Sequence, residues 1–166
     1  MKNDNIILIG MPGSGKSTLG VLLAKAMQYR FMDTDLLIQE KEGKLLREII
    51  AKKGQEGFLA IEEEVNASIC AENTVIAPGG SAIYSARAME HFSEIGTVVY
   101  LHVSLEELEK RLGDLKKRGV VLKEGQTLAD LFEERRPYYE RYAKITIDVT
   151  DESIGVILDE LMQKLK

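Results

Sequence analysis

The sequence predicts an α/β fold built on a parallel sheet. Three observations point to it. Short apolar runs, Ile6–Ile9, Thr74–Ala77 and Gly96–Val103, lack polar alternation, as strands covered on both faces do. Segments with helical spacing separate them. The first run leads into a glycine-rich turn, Gly10-Met11-Pro12-Gly13-Ser14-Gly15-Lys16-Ser17-Thr18, which opens an amphipathic segment. The 166 residues fit a single domain, 1–166, able to bury a core.

Taken in order, Ile6–Ile9 is a buried strand, and Leu19, Leu22, Leu23 and Ala26 keep helical spacing after the turn. Phe31-Met32-Asp33-Thr34-Asp35 reads as a short strand whose alternation aims Asp33 and Asp35 at one face. An Asp N-cap of the following Leu36-Leu37-Ile38 segment is the competing reading, and the two can coexist. Leu45, Leu46, Ile49 and Ile50 form one helical stripe and Phe58, Ile61, Val65 and Ile69 another, with breaks at Gly54 and Gly57. Glu62, Glu63 and Glu64 lie in the second stripe as a solvated face with room for one functional member. Residues 36–72 are thus a helical insertion, too short for a domain but suited to holding a substrate. Thr74–Ala77 is the next strand, followed by Pro78-Gly79-Gly80-Ser81. Gly96–Val103 is the fourth strand, Leu105, Leu108 and Leu112 mark a helix, and 113–125 is a basic, glycine-bearing loop. Leu128, Leu131 and Phe132 resume a helix that Pro137 should kink or restart. Ile145–Val149 is the fifth strand, and Ile154, Ile157, Leu158, Leu161 and Leu165 form the closing helix.

Composition narrows the function. Hydrophobic content of 45% and charged content of 30% fit a soluble globular chain. A net charge of −5 argues against a nucleic-acid partner but permits local phosphate binding. Met1–Asp4 lacks an apolar signal region and no run approaches membrane-spanning length, so a cytoplasmic setting with no membrane partner is expected. Cys70 has no internal partner, and its helical neighbours predict a packing role. His91 and His102 have no metal-ligand spacing.

The strongest chemical signal is GxxxxGK[ST]. Backbone N–H groups of such a turn point at anionic oxygens, and the helix start adds partial positive charge. Gly13, Ser14, Gly15, Lys16, Ser17 and Thr18 are the predicted ATP-binding residues. Lys16 reaches the terminal phosphates and the Ser17 hydroxyl takes a Mg²⁺ position. The loop after a parallel strand lines the ligand crevice, so Gly79 and Gly80 offer N–H groups to a substrate, or else form a plain turn. Residues 113–125 suit a lid over triphosphate, or a solvated basic loop.

With Phe31-x-Asp33-x-Asp35, the glycine pair before Ser81 and Arg136-Pro137-Tyr138-Tyr139-Glu140, the ordered pattern resembles the shikimate kinases, a family of P-loop kinases. The resemblance spans nearly the whole chain. It implies a P-loop NTPase fold with a five-stranded sheet of order 2-3-1-4-5 flanked by helices, a substrate-binding insertion and a lid. It implies ATP and Mg²⁺ as cofactors and a small hydroxy acid, shikimate, phosphorylated to shikimate 3-phosphate by a monomer. Lys16 resembles the P-loop lysine, Ser17 the Mg²⁺ ligand and Asp33 the acid that helps hold Mg²⁺ through water. Asp35 resembles the carboxylate that orients the acceptor hydroxyl and takes its proton. Gly80 resembles the substrate-binding backbone position, Arg118 the lid arginine, and Arg136 the arginine that pairs with the substrate carboxylate.

Three positions depart from the family pattern. Leu59, in Phe58-Leu59-Ala60-Ile61-Glu62, stands where the family has a substrate arginine. Ser81 ends what is usually a glycine triplet, and no proline follows Arg118. Losing a charged partner in a closed site costs about 2–5 kcal/mol, roughly 30- to 5,000-fold in affinity. That loss leaves open a kinase of another small hydroxylated metabolite. An ATP-binding regulatory module is the third reading, against which Asp35 and Arg136 weigh.

Overall fold

The computed structural model describes residues 4–112, 123–149 and 152–166. Five parallel strands form one sheet in the order β2-β3-β1-β4-β5: β1 (Asn5–Ile9), β2 (Arg30–Asp33), β3 (Thr74–Ala77), β4 (Gly96–His102) and β5 (Ile145–Asp148). The strand order is the expected one. Around it lie α1 (Lys16–Met27), α2 (Thr34–Glu42), α3 (Leu46–Ala67), α4 (Ala86–Ile95), α5 (Leu105–Arg111), α6 (Leu128–Tyr142) and α7 (Ile154–Leu165). A 3-10 turn, Gly80–Tyr84, follows β3.

Successive side chains leave a strand on opposite faces, so unbroken apolar strands feed two cores. Ile7, Ile9, Ile76, Val98 and Tyr100 meet Met89, Phe92, Leu131 and Tyr139 of α4 and α6. Ile6, Leu8, Val75, Val99 and Leu101 meet Leu19, Leu23, Ile157 and Leu161 of α1 and α7. A third, small core of Ile38, Ile49, Phe58 and Val65 lies within the α2–α3 segment.

Four local expectations change. β2 ends at Asp33, so Asp35 belongs to the first turn of α2 rather than to a strand. The break in α3 falls at Gly54 alone, with φ 72° and ψ 179°, and Gly57 is helical. α6 continues through Pro137 to Tyr142, because buried Leu131, Phe132, Arg135 and Tyr139 hold both sides of it against the sheet and its loops. Cys70 lies past the end of α3 and is exposed, so it does not pack.

The order 2-3-1 sets the C-terminal ends of three strands side by side, and the loops leaving them share one edge. Asn5 locks the opposite edge. Its amide nitrogen donates to Ala71 O at 2.7 Å and Ile95 O at 3.0 Å, and its oxygen accepts from Thr74 N at 3.0 Å. The side chain is 1% exposed. Asn5→Ala leaves three buried backbone groups unsatisfied. It should lower unfolding free energy by about 2–4 kcal/mol, seen in urea titration as a lower midpoint at unchanged slope.

Candidate active site

The loop after β1 begins the site. Gly13 and Gly15 hold φ values of 80° and 91°, which exclude most side chains and turn successive N–H groups inward. α1 starts directly after Gly15 with no side-chain cap and no acidic residue in its first turn, so its N–H groups and dipole are left for an anion. Lys16 Nζ donates to Gly10 O at 2.8 Å and Met11 O at 2.9 Å. Desolvation brings its ammonium down to about 8, against the pull of Asp35.

Gly13, Gly15, Lys16, Ser17 and Thr18 line a cavity of about 340 Å³ whose far wall holds Asp35, Glu62, Gly79, Gly80, Ser81 and Arg135. Ser14 is buried behind the loop and faces a second cavity. Asp33 does not line the first. It caps α2, accepting from Asp35 N at 2.9 Å, and this turn delivers Asp35 to the cavity. Desolvation, with the Asp33 charge beside it, raises the Asp35 carboxyl to about 6.

Among the three consecutive glutamates only Glu62 is buried, at 2% exposure. Its place in the Phe58, Val65 and Ile69 stripe at i+4 and i+7 spacing is the sequence signal for that. Ser81 Oγ donates to the Glu62 carboxyl, 2.7 Å from Oε1 and 3.0 Å from Oε2. Burial raises Glu62 to about 8, with Asp35 adding to the rise and Ser81 and Arg135 opposing it. Glu63 and Glu64 turn away to Ser85 and Arg87.

The chain brings Arg135, not Arg136, to the cavity. Arg136 is exposed on α6 and pairs with Glu140 at 3.1 Å. Arg135 is 1% exposed. Its Nε donates to Tyr84 Oη at 3.3 Å, and its guanidinium lies 5.4 Å from the Tyr84 ring centroid. Tyr84 in turn donates to Glu134 at 2.6 Å. The buried positions 131, 132, 135 and 139 are spaced as one helical face, which puts 136 outside. Tyr139 closes the floor by donating to Gly80 O at 2.8 Å. Leu59 packs against the Ile38, Ile49, Phe58 and Val65 core.

The second cavity, about 240 Å³, shares Gly15 and Thr18 with the first and adds Leu19, Arg111, Val149, Ile154 and Ile157. Arg111 braces the phosphate loop by donating to Gly13 O at 3.1 Å. Together the uncapped helix start, the left-handed glycines and Lys16 fit a polyphosphate. Ser17 and Asp33 are oxygen donors of the kind Mg²⁺ accepts. Among the described residues no three His, Cys, Asp or Glu gather into a metal cage. Arg118 and most of the 113–125 segment lie outside the described residues. No described helix is long and apolar enough to cross a membrane.

A family model described as shikimate kinase matches residues 12–166. The shikimate kinase of Bacillus anthracis is 35% identical over 162 residues, 97% of this chain and 98% of that protein. Among solved structures, shikimate kinase from Acinetobacter baumannii in complex with shikimate superposes with a TM-score of 0.88 at 32% identity, covering 98% of this chain and 92% of that one. Shikimate kinase from Aquifex aeolicus gives a TM-score of 0.78 at 30% identity, over 97% and 95% of the two chains.

Burial of Glu62 has a thermodynamic consequence. The folded chain keeps the proton up to about pH 8, whereas an unfolded glutamate releases it near 4.5. Unfolding therefore releases a proton between those values, and stability declines as pH rises through them. Glu62→Gln escapes this decline. It should be more stable than the parent at pH 8.5 by about 1–4 kcal/mol, with the gap closing toward pH 5. Urea titrations at both pH values measure it.

Proposed function

The chain belongs to the shikimate kinase family, and on that premise we propose how its residues divide the work. The reaction is transfer of the γ-phosphoryl group of ATP, with Mg²⁺, to a hydroxyl of shikimate. The observation that carries the assignment of roles is that one cavity holds the phosphate loop on one wall and Asp35 with Arg135 on the other.

Residues Gly13 to Thr18 grip the triphosphate through backbone N–H groups. Lys16 turns from the Gly10 and Met11 carbonyls to the terminal phosphates and neutralises charge there. Ser17 would hold Mg²⁺ directly and Asp33 through water, and the ion would supply further charge neutralisation. Asp35 aligns the acceptor hydroxyl. As the hydroxyl oxygen bonds to phosphorus and the bond to the departing nucleotide oxygen breaks, an Asp35 oxygen takes the hydroxyl proton. A carboxyl raised to about 6 is still ionised at neutral pH and is a better base than an ordinary one.

Arg135 takes the role expected of Arg136 and pairs with the substrate carboxylate, helped by Gly79 and Gly80 N–H groups. Residues 36–72 form the substrate side of a single-domain enzyme. The second cavity takes the nucleoside. Residues 113–125 act as the lid, with Arg118 on the phosphates, and exclude water during transfer. The enzyme works as a cytoplasmic monomer with no nucleic-acid or membrane partner.

Two measurements test this division. Asp35→Asn should lower kcat for shikimate by about 10²- to 10⁴-fold with little change in the KM for ATP. A loss under tenfold would remove Asp35 from the proton transfer. Arg135→Lys should raise the KM for shikimate by roughly 30-fold or more, while Arg136→Ala, which breaks only an exposed pair, should leave it within about twofold. The reverse pattern would return the carboxylate to Arg136.

A further inference from the structure

We propose that Glu62 is an uncharged hydrogen-bond donor to the substrate carboxylate, standing beside Arg135 in a chain whose Leu59 replaces the arginine of the family pattern. The proposal rests on the reading of shikimate, a carboxylate-bearing alcohol, as the acceptor.

Placement is the first support. Glu62 lines the cavity, while Leu59 is packed into the apolar core of the insertion. The cations among the described lining residues are Lys16, on the phosphate wall, and Arg135. Among the described residues, a carboxylate substrate on the far wall therefore meets one guanidinium.

The surroundings of Glu62 are the second support. A bare carboxylate accepts about four hydrogen bonds. Glu62 receives one proton from Ser81, shared between its two oxygens. Across Gly79, Asp35 Oδ1 and Glu62 Oε2 lie 2.8 Å and 3.0 Å from the point a Cβ on that glycine would occupy. A second carboxylate thus lies near Glu62, whose own side chain is buried. Arg135, from α6, is the opposing charge. Burial and Asp35 outweigh Ser81 and Arg135, and Glu62 keeps its proton to about pH 8.

Protonation decides what the group can do. The Ser81 hydroxyl spends its own proton on Glu62, so the Glu62 O–H is left for another acceptor. A carboxylic O–H to carboxylate bond is short and charge-assisted, which suits it to hold one oxygen of the substrate carboxylate while Arg135 holds the other. Two departures from the family pattern, Leu59 in the insertion core and Ser81 on this wall, then serve one arrangement.

The test is steady-state kinetics with MgATP and shikimate from pH 7 to 9.5, on the parent, Glu62→Gln and Ser81→Ala. In the parent, the KM for shikimate should rise about tenfold between pH 7 and 9 as the donor ionises. Glu62→Gln keeps a neutral N–H donor and should flatten that rise. Ser81→Ala removes the hydroxyl that favours ionisation and should move the rise to higher pH. Lys16 titrates in the same interval, and the KM for ATP, which should follow one curve in all three proteins, separates it. Infrared difference spectra give a second readout: a protonated carboxyl stretch present in the parent at pH 7, lost at pH 9.5 and missing from Glu62→Gln. A rise unchanged in Glu62→Gln, an effect confined to kcat, or no such stretch in the parent would each overturn the proposal. A parent that turns over shikimate with a pH-independent KM overturns this inference alone. A parent that does not phosphorylate shikimate overturns the family reading beneath it.

Discussion

Two residues without side chains, Gly79 and Gly80, set the separation between the phosphate loop and the far wall of the cavity. A Cβ on Gly79 would lie 2.8 Å from Asp35 Oδ1, and one on Gly80 would lie 2.7 Å from Arg135 Nη1 and 3.2 Å from Gly10 O. The chain leaving β3 is thus squeezed between the acids of the insertion and the loop after β1. The sheet order makes this possible, because β3 lies between β2 and β1 and its end reaches both neighbouring loops. With no side chains in the seam, Asp35 and the phosphate loop share one small cavity. Positioning of that kind supplies most of the rate in phosphoryl transfer.

The charges of the cavity are organised by the same closeness. Lys16 and Asp35 lower each other's cost of desolvation, while on the far side burial and Asp35 keep Glu62 protonated against the pull of Arg135. Arg135 is backed by Tyr84, which Glu134 holds, and Tyr139 ties α6 to the Gly80 carbonyl. The aromatic residues around Pro137 therefore act as the mounting of the guanidinium. They also hold α6 to the sheet beyond its proline, where Tyr139 stacks on Tyr100 with ring centroids 5.0 Å apart.

Much of this was legible in the residues. Unalternating strands, the glycine loop and its helix are local patterns with local causes, and the sheet they build is the expected one. The harder cases turn on which face of a helix a side chain occupies. Arg135 and Arg136 are equivalent as composition, and expecting Pro137 to interrupt the helix hid the face that Leu131, Phe132, Arg135 and Tyr139 share. Glu62 differs from its two neighbouring glutamates only in its spacing from Phe58 and Val65, which puts it on the buried face. At Asp35 alternation and a helix N-cap predict the same short stretch, and the cap at Asp33 prevails by satisfying a free N–H. Cys70 shows the limit of periodicity at a helix end, where the pattern outlasts the helix.

The two hydrogen bonds from Lys16 to the Gly10 and Met11 carbonyls bear on how fast the enzyme can become ready. The ammonium gives up much of its hydration once, when the polypeptide folds, and carbonyl oxygens stand in for the water. On the role proposed for Lys16, an arriving nucleotide would exchange two ligands at the nitrogen instead of dehydrating it. The reorganisation belongs to biosynthesis of the catalyst and is not repeated in every cycle.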